Sequence, residues 1–152
     1  MTAVYLAASS RDLPRAKRWR DALLQAGLVV ASTWIESVEA EGAANPQTAS
    51  REQRQKWAGA CYAEVRSANI VWFLAPPPDA PSCGAWCELG AADTGYAIVI
   101  CSGPGTEQSI FCALGEEYSS DFLAFAAIVR AHEQKLFNPP IPETDITGAE
   151  EW

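Results

Sequence analysis

The stretch Pro81-Ser82-Cys83-Gly84-Ala85-Trp86-Cys87-Glu88-Leu89-Gly90-Ala91-Ala92-Asp93-Thr94-Gly95 lies between two apolar runs, Asn69 to Leu74 and Tyr96 to Cys101. A Pro-rich loop precedes it and Gly95 closes it. The order is therefore strand, loop, short helix, strand. The small residues Gly84, Ala85, Gly90, Ala91 and Ala92 let such a helix sit close to a sheet or a ligand. Glu88, the acid in its first turns, has no lysine or arginine near it in sequence. A carboxylate without a local cation, at the mouth of a parallel sheet, is a candidate for chemistry.

Working outward, Ala3 to Ala8 is short, apolar and followed by Ser9-Ser10-Arg11-Asp12, which predicts a first strand buried on both faces. Ser10 or Asp12 can cap a helix from about Leu13 to Ala26, with Ala16, Trp19, Leu23 and Leu24 at helical spacing and Gly27 as its stop. Leu28 to Trp34 predicts strand two, parallel to the first through a right-handed crossover. Ile35 to Ala49 is expected to be a long loop over the carboxyl end of the sheet. Ser50 to Ser67 predicts a helix with Trp57, Cys61, Val65 and Ala68 on one stripe. Ser109 to Leu114 predicts strand five, and Ser120 to Leu136 an amphipathic helix. Trp57 and Trp72 are read as core. Trp34 ends strand two, where it could stack on a base, and Trp86 faces either a ligand or a neighbouring subunit.

The alternation predicts an α/β fold: a doubly wound, flavodoxin-like or Rossmann-like parallel sheet of about five strands flanked by helices. Residues 1–137 form the domain, and 138–152 an acidic, Pro-containing tail that is extended, wrapping a neighbour or mobile. Ligands of such sheets bind beyond the carboxyl ends of the strands, where the strand order reverses. That brings the loop after strand one (Ser9, Ser10, Arg11) beside the loop after strand three (Ser82 to Glu88).

Composition limits the ligand. A net charge of −8 argues against a nucleic-acid polymer, which is bound through Lys and Arg contacts to phosphates. A small anion remains possible, because a few local donors suffice. No apolar run reaches membrane-spanning length and no secretory leader is expected. Five cysteines without a disulfide framework point to free thiols in the cytoplasm. Cys83 and Cys87 can share a helix face, but with a single histidine, His132, no metal site is expected. That histidine, among charged residues of the last helix, supports no Ser-His-Asp set. Neither a GxGxxG fingerprint nor a Walker lysine motif is present, so no bound cofactor is expected. Ser9, Ser10 and Arg11 offer hydroxyls, a helix start and a forked cation to an anion, or else ordinary helix capping.

The patterns Tyr5-x-x-x-Ser9-x-Arg11 and Ser82-x-Gly84-x-x-x-Glu88-Leu89-Gly90, in this order on this fold, resemble the nucleoside 2-deoxyribosyltransferase superfamily. The resemblance implies that Glu88 is a nucleophile. It would attack C1′ of a sugar, expel the base and leave a covalent glycosyl-enzyme for water or a second base to resolve. It implies that Tyr5 orients Glu88. Six residues before the glutamate, the transferases acting on free nucleosides carry aspartate for the 5′-hydroxyl. The nucleoside 5′-monophosphate N-glycosidases carry serine, and Ser82 stands there in this chain. A hydroxyl can donate to a phosphate dianion that a carboxylate would repel. Ser9 and Arg11 match phosphate-binding positions of the same branch. The aspartate that the family keeps eight positions ahead of Asn69 to assist base departure is Cys61 here, and the resemblance implies Glu64, one turn later on roughly the same face, as its substitute.

The expected partner is thus a small nucleotide or nucleoside, cleaved at the N-glycosidic bond. Base exchange on free deoxynucleosides is the alternative. Other readings are a non-catalytic nucleotide sensor, favoured by Cys61 and Asn69, and cleavage of a dinucleotide such as NAD. The resemblance further implies a homodimer or higher homo-oligomer.

Overall fold

A computed structural model of the chain describes residues 1–42, 48–77 and 82–134. Five strands, β1 (Ala3–Ala7), β2 (Val29–Val30), β3 (Ile70–Leu74), β4 (Ile98–Ser102) and β5 (Glu116–Tyr118), form one sheet in the order β2-β1-β3-β4-β5. Every pair is parallel. The order reverses between β1 and β3, so a crevice opens between their carboxyl ends. Five helices cover the two faces: α1 (Leu13–Gln25), α2 (Trp34–Glu41), α3 (Arg51–Ser67), α4 (Cys83–Asp93) and α5 (Asp121–Glu133).

Because side chains alternate along a strand, each central strand feeds two cores. Val4, Leu6, Ile70, Trp72 and Ile100 pack against Ala16, Trp19 and Leu23 of α1 and Ala124 and Ile128 of α5. Tyr5, Ala7, Val71, Phe73 and Cys101 face Val65 of α3 and Ala85, Leu89 and Ala92 of α4. The all-buried run of β3 reflects this two-sided covering.

The predicted strand-helix-strand start is present, and the physical stop of α1 is clear. Gly27, at φ +81°, donates to the Leu24 carbonyl (3.0 Å) and Leu28 to the Leu23 carbonyl (3.1 Å), a Schellman ending.

Three expectations are corrected. Strand two stops at Val30, because the Ser32 hydroxyl takes over the ladder: it accepts from Leu6 N–H (2.5 Å) and donates to the Leu6 carbonyl (3.3 Å). Trp34 therefore begins a helix rather than ending a strand. The expected loop 35–49 starts as that helix, α2, which buries Ile35 and closes at Gly42 (φ +80°). Residues 110–114 are a 3-10 turn instead of strand five, opened by Ser109, whose side chain accepts from Phe111 N–H (3.2 Å). The fifth strand begins two residues later, after Gly115. A Cβ on Gly115 would lie 2.6 Å from the Val99 carbonyl oxygen, so only glycine lets the chain approach β4 this closely. Leu136 and the tail 138–152 lie outside the described residues.

A polar cluster ties the α1/α5 face together. Asp121 accepts from Arg15 Nε (2.7 Å) and a second guanidinium nitrogen (2.7 Å), from Trp19 Nε1 (3.0 Å) and from the Ser102 hydroxyl (2.7 Å). Arg15 also donates to the Ala75 carbonyl (2.9 Å). Burial pushes the Asp121 carboxyl up, but the bonds from Arg15 and Ser102 and the Arg15 charge outweigh it and hold the carboxyl below its usual range.

Candidate active site

A cavity of about 570 Å³ opens at the carboxyl ends of β1 and β3. Four stretches of sequence line it. Ala8 and Ser10 come from the end of β1. Thr33, Trp34, Ser37, Val38, Glu41 and Gly42 come from α2 and its ends. Trp57, Ala60, Cys61 and Glu64 come from α3, and Ser82, Gly84, Ala85 and Glu88 from α4.

The helix α4 presents Gly84, Ala85 and Glu88 to the cavity while Leu89 and Ala92 anchor it to the sheet. A Cβ on Gly84 would meet nothing within 4 Å, so its absence leaves open space in front of the carboxylate. Ser82 occupies the N-cap position, yet its side chain makes no capping bond. Among the described residues the hydroxyl has no partner, and it can donate to a ligand at the helix N-terminus.

Glu88 is partly buried, and its carboxyl is pushed up to about 7. Burial is the leading cause, the Glu64 charge adds to it, and interaction with Tyr5 and Cys61 pulls the other way. Tyr5 points from the fully buried centre of β1 into the same layer. Burial first, then the Glu88 charge, raises its phenol far above its usual value. Phenol and carboxylate are thus near enough to shift one another, but the buried Tyr5 hydroxyl completes no hydrogen bond among the described residues. The pair is poised and not bonded. Cys61 is pushed up to about 11, chiefly by burial.

Glu64 is held from across the cavity. Its two carboxylate oxygens accept separately from Thr33, one from the backbone N–H (3.3 Å) and one from the hydroxyl. Trp34 is fixed through Nε1, which donates to the Leu6 carbonyl (2.9 Å), and its half-buried ring lines the wall.

The cavity therefore brings together Glu88, Glu64, Ser10, Ser82, Gly84 and Trp34, with Tyr5 behind Glu88. Ser9 is buried beneath it and caps the turn of Ser10–Asp12 by accepting from Arg11 N–H (3.3 Å). Arg11 is exposed and is not part of the cavity wall. Trp57 is corrected from core to cavity wall: only half-buried, it shares a face of α3 with Cys61 and Glu64. Thr33, which the sequence reading puts in strand two, and Ser37, Val38 and Glu41, which it puts in the 35–49 loop, also line the cavity. The signal was present in the spacing of Trp34, Val38 and Glu41, which is helical. Trp86 stacks on Phe73 (ring centroids 4.5 Å) and faces a different, largely apolar groove.

No protein-family model matches the chain, and no curated protein sequence matches it. Solved structures do. A conserved protein of Enterococcus faecalis V583 aligns over 89% of this chain and 99% of its own, at 15% identity and a TM-score of 0.59. A 2-deoxyribosyltransferase of Bacillus psychrosaccharolyticus aligns over 92% and 100%, at 15% identity and 0.61. A CMP N-glycosidase of Clostridium botulinum aligns over 84% and 98%, at 14% identity and 0.50. The chain shares the five-stranded, flavodoxin-like α/β fold of these proteins over nearly their whole length. The resemblance carried by the Tyr5 and Glu88 motifs is met at the level of fold.

Proposed function

We propose that the protein cleaves the N-glycosidic bond of a (deoxy)nucleoside 5′-monophosphate through a covalent glycosyl-Glu88 intermediate, releasing free base. The observation that carries this reading is a partly buried carboxylate, pushed up to about 7, at the switch point of the sheet and facing an open cavity of nucleoside size. Nothing in the described structure ties Glu88 to a cation, so its carboxylate is available to a substrate carbon.

In the first step a Glu88 oxygen attacks C1′ while the C1′–N bond breaks, its electron pair leaving on the base nitrogen, which takes a proton from solvent where the base was neutral. Tyr5, whose hydroxyl completes no hydrogen bond among the described residues, donates to the Glu88 carboxylate and directs the attacking oxygen. In the second step water attacks C1′, Glu88 departs as carboxylate, and Glu64 takes the water proton. At the other end of the substrate, the uncommitted Ser82 hydroxyl and the α4 N-terminus suit a phosphate. Trp34 and Trp57 flank the space left for the base.

The test is direct. Incubated with a panel of nucleosides and their 5′-monophosphates, the chain is expected to release free base from monophosphates, and Glu88→Ala to lower that release by ~10⁴-fold or more. Absence of base release from every member of the panel would sink the reading. Adding a second free base distinguishes the two outcomes of the glycosyl-enzyme: a new nucleoside signals exchange, free sugar phosphate signals hydrolysis.

A further inference from the structure

Resting on the N-glycosidic reading, we infer that the base half of the cavity is built for a base already carrying positive charge, such as an N-alkylated purine or a pyridinium, and not for a neutral one.

Two helix stripes make up this half. Trp34 and Glu41 stand one pair of turns apart on α2, and Trp57 and Glu64 at the same spacing on α3. Each wall thus offers an aromatic face and a carboxylate. Among the described lining residues there is no lysine, arginine or histidine, and neither Glu41 nor Glu64 forms an ion pair among the described residues. Indole rings with carboxylates and no competing cation are the chemistry that recognises a flat organic cation. Behind them the fully buried Tyr5 hydroxyl completes no hydrogen bond among the described residues, yet lies near enough to Glu88 and Cys61 on the cavity wall to feel both.

The cavity is also poor in proton donors for a departing base. A neutral base leaves well only if an acid protonates it. Glu64 is turned to Thr33, its two oxygens accepting from the backbone N–H and the hydroxyl, so it serves there as an acceptor. Cys61, at about 11, is a weak acid. A cationic base needs neither. When a Glu88 oxygen bonds to C1′, the C1′–N electron pair passes to the positively charged nitrogen system, and the base departs neutral with no proton transferred. Water then opens the ester, its oxygen bonding to C1′ and its proton going to Glu64 and on to solvent. The balance is cationic glycoside plus water, giving neutral base, free sugar and one proton. The substrate cation also favours the ionised form of Glu88 on binding.

The experiment uses the full-length Glu88→Gln chain and calorimetric titration with 7-methylguanosine against guanosine, and with nicotinamide riboside against its neutral dihydro form, as nucleosides and as 5′-monophosphates. Each cation is expected to bind at least about tenfold more tightly than its neutral counterpart, and Glu41→Gln in the same background to bring that ratio towards one. Equal or tighter binding of the neutral partners overturns the inference. Wild-type base release separates the two readings. Preferential cation binding without base release keeps the ligand class and removes the cleavage. Cleavage of neutral substrates with no cation preference in binding does the reverse.

Discussion

Glu88 owes its character to one helix turn. Gly84 and Ala85 keep the space in front of it open, the sheet behind it excludes water, and Glu64 adds a second negative charge. With its carboxyl near 7 and the reactive form ionised, kcat/KM is expected to fall about tenfold per pH unit below 7 and to level off above it. A profile flat from pH 5 to 8 would show that Glu88 ionisation does not control the reaction. The same shift has a stability consequence of opposite sense. The native state holds the Glu88 proton more tightly than the unfolded chain, whose carboxyl titrates near 4.5. Its contribution is complete below that value and is lost as pH rises through about 7. Wild type and Glu88→Gln should therefore unfold nearly alike at pH 4, with the Gln variant the more stable at pH 8. The difference between 7 and 4.5 bounds the effect at about 3 kcal/mol, less what the open cavity returns as solvation. Thermal unfolding at the two pH values measures it. At the other end of the cavity, Ser82→Asp is expected to shift preference from 5′-monophosphates to free nucleosides by ~10–100-fold, through repulsion between carboxylate and phosphate. Relative kcat/KM on the paired substrates decides it.

At the scale of elements, the site depends on two helices that meet it from opposite sides. The helix α2 exists because Ser32 ends the strand by bonding both Leu6 backbone groups and Ile35 then turns into the core. Thr33, at the entrance to that helix, reaches Glu64 near the end of α3. Opposite the cavity, Asp121 at the start of α5 clamps Arg15 of α1 while both side chains are largely shielded from solvent. Asp121→Ala leaves the guanidinium without its main partner and two further donors, Trp19 Nε1 and the Ser102 hydroxyl, without theirs. The expected loss is about 3 kcal/mol, read as a lower urea midpoint with unchanged slope. Gly103 belongs to the same clamp. At φ +100°, a Cβ there would fall against the Arg15 guanidinium, whereas at Gly27 it would meet nothing within 4 Å. Alanine at Gly27 should cost about 1 kcal/mol of backbone strain, and alanine at Gly103 about 1–2 kcal/mol more. Equal costs would mean that Arg15 moves aside freely.

For the whole molecule, the charge of −8 and the acid-lined cavity act in the same direction. A cationic base is drawn in and a phosphate is repelled except where α4 and Ser82 receive it. Raising salt screens both effects. For a cationic nucleoside lacking a phosphate, the KM is expected to rise several-fold between low salt and ~0.5 M. For a neutral nucleoside it should stay level. A KM insensitive to salt for both would show that the field of the protein plays no part in capture.

What the sequence determined by itself was local or periodic. A continuous apolar run at Ala3–Ala8 implied a strand covered on both faces, the run over 69–74 implied another strand, Gly27 implied the end of a helix, and the alternation implied a parallel sheet with its cleft at the β1/β3 reversal. That order alone brought Ser10, Ser82 and Glu88 to one place. Tertiary structure decided what depends on contacts between distant residues. Ser32 bonding Leu6, 26 residues away, turned a predicted strand into a helix. Close approach of Gly115 to Val99 moved the fifth strand beyond the 109–114 run. Trp57 left the core for the cavity because the stripe of α3 that packs on the sheet runs through Val65, a fraction of a turn from Glu64. A helical repeat gives the width of a buried face but not its bearing, and a few tens of degrees of rotation separate a core tryptophan from one that meets a ligand.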